Sequence, residues 1–579
     1  MLLYIGFAAL AIVLFVVLWV GVRGLLAKNA LDEAVPAASS LAAQVAAGDR
    51  EAANVSFSSL SSSSSEAAAL TSDPIWRVAE LIPYLGSNLT AVREASAIVN
   101  DISRDAVSPI IEITSSLGVD DFVPVAGAVQ LQPLINAQPK IAAAADALES
   151  ADTRTREIET DHVLEFVANA IGKLESTVGE ANVIVGTAHR AATLIPPMMG
   201  AEGERTYLLL FQNPAELRAT GGIPGALAQL NVSDGAISLS QQASSADFPM
   251  SDSPVLELPL ETRALYGDIT GKYMQDVNLT PQFPLSAALA AEMWRQQFGV
   301  EVDGVMSVDP MVLSYLLRAT GPIALPTGDE LTSENAVQLL LTDVYARYPD
   351  PVVQDLFFAS AAAAVFDSVS NGALQPSLLL DALARAGSEN RIFVWSTHGA
   401  EQSELEETTL AGVLPASDAE TTRIGVYFND ATGSKMGTYL KSQINTGHAV
   451  CRTDGLPQID VAITLTNTAP ADAAASLPEY VTGAGIYGVP AGNIRIIANV
   501  YGVPGSANLG IEREGVEVPH HSTSDSGYPV SAIEIELAPG ESKTFTSSFL
   551  SEEPGLSEIV IQKTPEINIL PFGKVEVFC

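Results

Sequence analysis

The spacing of apolar positions changes three times along the chain, and each change predicts a different kind of structure. Leu2 to Val22 is apolar throughout and carries no charge, about the 20 residues a helix needs to cross a bilayer. Tyr4 and Trp19 sit near its ends. The run is longer than the apolar core of a cleavable leader, and no small-x-small cleavage site follows before Arg23, so residues 1–26 read as an uncleaved transmembrane anchor. From 27 to 197 the period is helical. Leu31, Val35, Ala38, Leu41 and Val45 share one face, a Ser-rich patch from Ser56 to Ser65 loosens the pattern, and Asp73-Pro74 opens a new segment. Val167, Ile171, Leu174, Val178, Ala181, Val185, Ala188 and Ala192 then step by four and three, a heptad seam that must pack along a second helix. Either an intramolecular bundle or a homo-oligomeric stalk satisfies it, and Ala at three seam positions favours the former.

After Pro196-Pro197 the pattern alternates strands with helices. "TYLLLFQNPAELRATGG" (206–222) is a buried strand running into a polar turn and two glycines, and "ALAQLNVSDGAISL" (226–239) is a hairpin turning at Asp234-Gly235. Residues 271–323 read as a polar loop, an amphipathic helix (Ala287, Ala291, Trp294, Phe298), a strand at Gly304 to Val308, and a helix from Pro310 to Ala319. "RIFVWST" (391–397) returns as a strand, so residues 198–400 predict an α/β sandwich. In 401–579 the period becomes two. Ile459, Val461, Ile463 and Leu465 alternate, as do Ile533, Ile535 and Leu537, and "LAPGESKTFTSSF" is a strand-turn-strand phrase common in immunoglobulin-like sandwiches.

Composition narrows the function. At 579 residues the chain holds several cores. With 47% hydrophobic and 17% charged residues it folds, and a net charge of -39 argues against nucleic acid or an anionic membrane surface as the main partner. Arg23 and Lys28 follow the apolar run, which by the positive-inside tendency would leave the body in the cytoplasm. A start codon placed too far downstream removes any basic stretch before the span, and the expectation adopted is an extracytoplasmic body on a single-pass anchor. The two cysteines, Cys451 and Cys579, fit a disulfide tying the C-terminal tail to its domain. Two unpaired thiols are the alternative. His520-His521 lacks a third ligand at metal spacing, and neither a GxSxG elbow nor a Walker or dinucleotide fingerprint occurs.

A strand that ends in polar residues at its carboxyl edge is where α/β sheets present ligands. Asn213, Glu216 and Arg218 stand there, with Glu216 and Arg218 also able to pair with each other at the surface. Arg263 and Lys272 are nearby cations, and Asp276 and Asn278 lie in the following loop. A pyrophosphate needs guanidinium forks, and in-line transfer is helped by a metal on carboxylates; Glu216 and Asp276 are the candidate ligands.

The blocks "YLLLFQNPAELRATGG", "DVNLTPQFPLSAALAAEMW", "VDGVMSVDPMVLSYLLRATGPI", "LTSENAVQLLLTDVY" and "NDATGSKMGTYL" resemble successive blocks of a bacterial envelope family known as domain of unknown function 4012, from anchor to C-terminal region. The order strand, polar turn with Arg, hairpin, loop-helix-"DGVMSVD"-helix-"TGPI" is more distantly similar to the LytR-CpsA-Psr phosphotransferases. That resemblance implies an anchored cell-wall protein in which Asp and Arg, with Mg2+, hold the pyrophosphate of a polyprenyl-linked glycan and pass it to a cell-wall polymer. It places Asn213 at that family's first Asp and Arg218 near a pyrophosphate-binding arginine. Where those enzymes carry a further Pro-Arg-Asp segment this chain reads "SLSQQASSADFP", so an arginine and an acid are absent. Two functions stay open: a glycan transferase or polyprenyl-pyrophosphate binder, and a non-catalytic envelope scaffold on the same fold.

Overall fold

The structure, a computed structural model, describes residues 2–46, 49–114, 124–125, 127–371, 374–418, 421–552, 554–555, 557–568 and 570–577. The chain divides into two compact units, one of residues 1–123 and 129–202, the other of residues 124–128 and 203–579.

The first unit is helical. A helix spans Leu2–Ala46, and its stretch Leu14–Val45 is long and apolar enough to cross a membrane. Arg23 is not a free flanking charge: its guanidinium donates to the carbonyl of Leu70 and pairs with Asp73 at 2.7 Å. The Ser-rich patch does not break the chain. It lies inside one continuous helix, Arg50–Thr71, whose buried face carries Ala53, Leu60 and Ala67, while serine hydroxyls such as that of Ser58 donate to the carbonyl one turn back, on Asn54. Asp73-Pro74 does open a helix, with the Asp73 carboxylate capping the amides of Ile75 and Trp76 and proline in the first turn. The heptad seam lies on the helix Glu165–Met198, and Val167, Ile171 and Val178 are buried against the chain's own helices through Ala91, Ile98 and Ala151.

In the second unit, five strands form a mixed sheet. Arg205–Asn213 lies at its centre, antiparallel to Ile223–Ser233 on one side and parallel to Gly304–Val308 on the other. Ala236–Ser244 and Phe393–Ser396 take the two edges, both antiparallel to their neighbours. The hairpin turns where predicted, with Asp234 and Gly235 both at positive φ. The parallel pair requires a crossover, and its helix Phe283–Phe298 packs on the sheet: Phe283, Ala287 and Trp294 share a core with Leu208, Leu210, Val305 and Phe393.

The C-terminal part is two sheets packed face to face. One, six-stranded, includes Leu440–Ala449, Gln458–Asn467 and Ser542–Leu550; the other, five-stranded, includes Thr421–Asp430, Ile494–Tyr501 and Tyr528–Leu537. Val461, Ile463 and Phe545 of the first meet Val426, Phe428 and Ile496 of the second in one core. The phrase "LAPGESKTFTSSF" crosses from one sheet to the other, since its two strands belong to different sheets. Leu217, from the turn after the central α/β strand, is 1% exposed inside this same core. The two sheet systems are therefore joined by a shared hydrophobic side chain.

A second apolar helix spans Pro351–Asn371 and takes in "QDLFFASAAAAVFDSV" (354–369), a stretch that reads as helical. Val352–Ser370 passes the same test of length and hydropathy as the N-terminal stretch, while its Phe357 and Ala361 pack in a core with Leu331 and Val344. Cys451 is disulfide-bonded; its expected partner Cys579 lies outside the described residues.

Candidate functional site

The turn after the central strand is built by its own backbone and by two glycines. Asn213 Oδ1 accepts the amide of Ala215 at 3.0 Å, and its carbonyl accepts that of Glu216 at 3.1 Å, an Asx-type reversal. Ile223 N–H returns to Glu216 O at 2.9 Å, closing the loop. A Cβ on Gly222 would stand 2.1 Å from the carbonyl carbon of Asn213, and Gly221 adopts φ 137°, so neither position admits a side chain. This is why two glycines follow the polar residues.

The turn carries its charges inward. Arg218, 6% exposed, donates from Nη2 to Glu216 Oε1 and to Asp276 Oδ1, both at 3.0 Å, and from Nη1 to its neighbour's carbonyl, Leu217 O, at 3.0 Å. The second oxygen of Glu216, itself 5% exposed, accepts Lys435 Nζ at 2.7 Å. Glu216 and Arg218 thus pair with each other, as the sequence allowed, but in the interior rather than at the surface. Asn278 donates to Gly222 O at 2.8 Å and to Thr220 Oγ1 at 3.1 Å, and Asn213 donates to the hydroxyl of Tyr345. Five of the seven predicted residues, Asn213, Glu216, Arg218, Asp276 and Asn278, therefore bear on this one turn.

The other two do not. Arg263 pairs with Asp268 at 2.7 Å on the surface, and Lys272 makes no side-chain ion pair among the described residues. Their proximity in sequence misled, because the helix Leu260–Tyr266 and the turn Asp268–Gly271 direct them elsewhere.

Two residues not expected complete the cluster, Lys435 and Asp430. Asp430 ends the strand Thr421–Asp430, and Lys435 lies in the loop that follows it. Asp430 N–H donates to Leu217 O at 2.9 Å and Gly437 N–H to Ala215 O at 2.7 Å, so the loop is hydrogen-bonded to the turn directly. Gly437 permits that approach, since a Cβ there would lie 2.6 Å from Pro214 O. The signal was present in the block "NDATGSKMGTYL", which places a lysine between Ser and Met in a chain with 29 cations against 68 acids.

Electrostatics follow from burial and pairing. Burial opposes ionisation of Glu216, but Lys435 and Arg218 outweigh it and hold its pKa below the usual carboxylate value. For Asp276 burial wins over Arg218, and its pKa rises. Asp430 is pushed up to about 6 by burial and by the charge of Glu216. Lys435 is raised despite burial, by Glu216 and by Tyr345 and Tyr480.

The predicted metal pair does not fit. Each oxygen of Glu216 and Oδ1 of Asp276 already accept a cationic donor, and a divalent ion there would face Arg218 and Lys435 at close range. Among the described residues no group of three or more His, Cys, Asp or Glu is arranged for a metal. A cavity of about 450 Å³ lies beside the edge strand, lined by Ile237, Leu239, Ala363, Phe366 and Asp367 among others, with no cation.

The family model described as "Protein of unknown function (DUF4012)" matches residues 202–345. That stretch is a DUF4012 domain. Four of the five resembling blocks lie in it, while "NDATGSKMGTYL" falls outside, so the match is narrower than the blocks suggested. Asn213, Glu216, Arg218, Asp276, Asn278 and Tyr345 belong to the DUF4012 domain, and Asp430 and Lys435 come from beyond it. No curated protein and no solved structure matches the chain, and the likeness to LytR-CpsA-Psr phosphotransferases finds no support in these comparisons.

Proposed function

We propose that the protein is a non-catalytic scaffold or interaction protein of the cell envelope, held by its N-terminal helix in the membrane with its body extracytoplasmic. The observation that carries this reading is the engagement of Arg218: its two terminal nitrogens donate to Glu216, Asp276 and a backbone carbonyl, leaving no guanidinium fork for a phosphate. The C-terminal sheets, the part read as immunoglobulin-like, then serve as spacer and adhesion surface, and the helical unit as stalk. An oxidised Cys451–Cys579 link suits the same compartment.

A second reading keeps the polyprenyl-pyrophosphate glycan as ligand. It is favoured by two buried atoms without a hydrogen-bond partner, Arg218 Nε, a donor, and Asn278 Oδ1, an acceptor, each of which a polar guest would satisfy. One titration separates the two readings. Full-length protein in detergent is mixed with a short-chain polyprenyl-pyrophosphate analogue, with and without Mg2+, for wild type and Arg218→Ala. The scaffold reading expects no micromolar binding by either protein; binding by the wild type that the substitution abolishes overturns it.

Anchoring has its own test. Deleting residues 1–26 moves the protein from the membrane to the soluble fraction of lysed cells. Retention at the membrane would refute the anchor and turn attention to Val352–Ser370.

A further inference from the structure

The buried cluster contains one more acid than it has cations. Glu216, Asp276 and Asp430 stand against Arg218 and Lys435, and all of these but Asp276 are less than a tenth exposed. Both cations are committed to Glu216 and Asp276, so Asp430 has no ion-pair partner among the described residues. Its carboxylate meets only Thr432: the amide at 2.7 Å from Oδ1, and the hydroxyl at 2.7 Å from Oδ1 and 2.9 Å from Oδ2. A hydroxyl has one proton and cannot serve both oxygens. Thr432 Oγ1 is also 2.6 Å from Ser434 Oγ, a hydroxyl it can donate to instead.

We infer that the cluster is a proton-linked latch: on mild acidification Asp430 takes up a proton on Oδ2, donates it to Thr432 Oγ1, and thereby tightens the joint between the turn Asn213–Gly222 and the loop Asp430–Gly437. The protonated cluster is neutral, with Glu216 and Asp276 balanced by Arg218 and Lys435. The ionised cluster carries an uncompensated charge facing Glu216. The charged side chains that act on Asp430 are Glu216, which raises its pKa, and Arg218, which lowers it, both from the turn, while Asp276 and Lys435 are engaged with Arg218 and Glu216. The joint itself is the pair of backbone bonds Asp430 N–H to Leu217 O and Gly437 N–H to Ala215 O. Loosening it frees the Leu217 side chain from the core of the two C-terminal sheets.

The direction follows from linkage. The folded pKa, about 6, lies above the ordinary aspartate value of 3.8, so the folded state holds the proton over that window and the unfolded state does not. The contribution to stability is complete below about pH 4 and is lost as pH rises through 6. A single proton makes the slope at most about tenfold in the unfolding equilibrium constant per pH unit.

The test compares full-length wild type with Asp430→Asn, which imitates the protonated carboxyl, by denaturant unfolding from pH 4 to 8. The wild type is expected to lose stability relative to the variant between pH 4 and 6, then run parallel to it. Hydrogen exchange on the wild type supplies a readout that needs no variant: the amides of Asp430 and Gly437, corrected for intrinsic rates, are expected to be more protected at pH 5 than at pH 7.5. Parallel stability curves throughout, or protection that does not change with pH, overturn the latch.

Discussion

Lys435→Met is expected to destabilise the protein by about 3 kcal/mol, the lower end of what removing one partner from a buried pair costs. The loss is large because Glu216 stays 5% exposed with a carboxylate oxygen that no longer meets a cation. It stays at the lower end because Arg218 still holds the other oxygen at 3.0 Å. A double variant, Glu216→Leu with Lys435→Met, is expected to cost less than the sum of its parts, since it removes both charges and leaves Arg218 paired with Asp276. Urea unfolding of the four proteins of this cycle measures the coupling. Additive losses would mean that Lys435 and Glu216 do not act as a pair. Because the lysine lies outside the DUF4012 domain and the glutamate inside it, a positive coupling would also demonstrate that the domain depends on the sheets beyond it for stability.

The sequence made the local pieces of this arrangement readable and hid their assembly. The strand at 206–211, the hairpin at Asp234-Gly235 and the alternation at Ile459 to Leu465 were legible because each depends on a period or turn chemistry contained in a few residues. The Ser-rich stretch only loosened the helical period, since low apolar content weakens the pattern without forbidding a helix, and Arg50–Thr71 is one. Asn213, Glu216, Arg218, Asp276 and Asn278 were legible as polar residues near a strand's end, but Glu216 meets Lys435 in the interior, more than two hundred residues further along the chain. No local pattern encodes that contact. Arg263 and Lys272 failed for the converse reason: closeness in sequence was taken for closeness in space.

Trp294 illustrates the legible part, and its replacement supplies the second large effect. The amphipathic spacing Ala287, Ala291, Trp294, Phe298 predicted its inward position, and it is fully buried in the helix Phe283–Phe298. Its ring stands 4.4 Å from that of Phe298 and 6.1 Å from that of Phe248, centre to centre, within the range of favourable aromatic pairs. Trp294→Ala is expected to cost about 3–5 kcal/mol, the transfer term plus a cavity that the surrounding sheet cannot close. Trp294→Phe is expected to cost much less. The indole Nε1 is buried with no hydrogen-bond partner, so the smaller ring loses area and dispersion but also relieves an unsatisfied donor. Thermal and urea unfolding of the two variants decide this directly. Equal losses for Ala and Phe would mean that the indole nitrogen is bonded after all and that the donor, more than the volume, holds the crossover helix to the sheet.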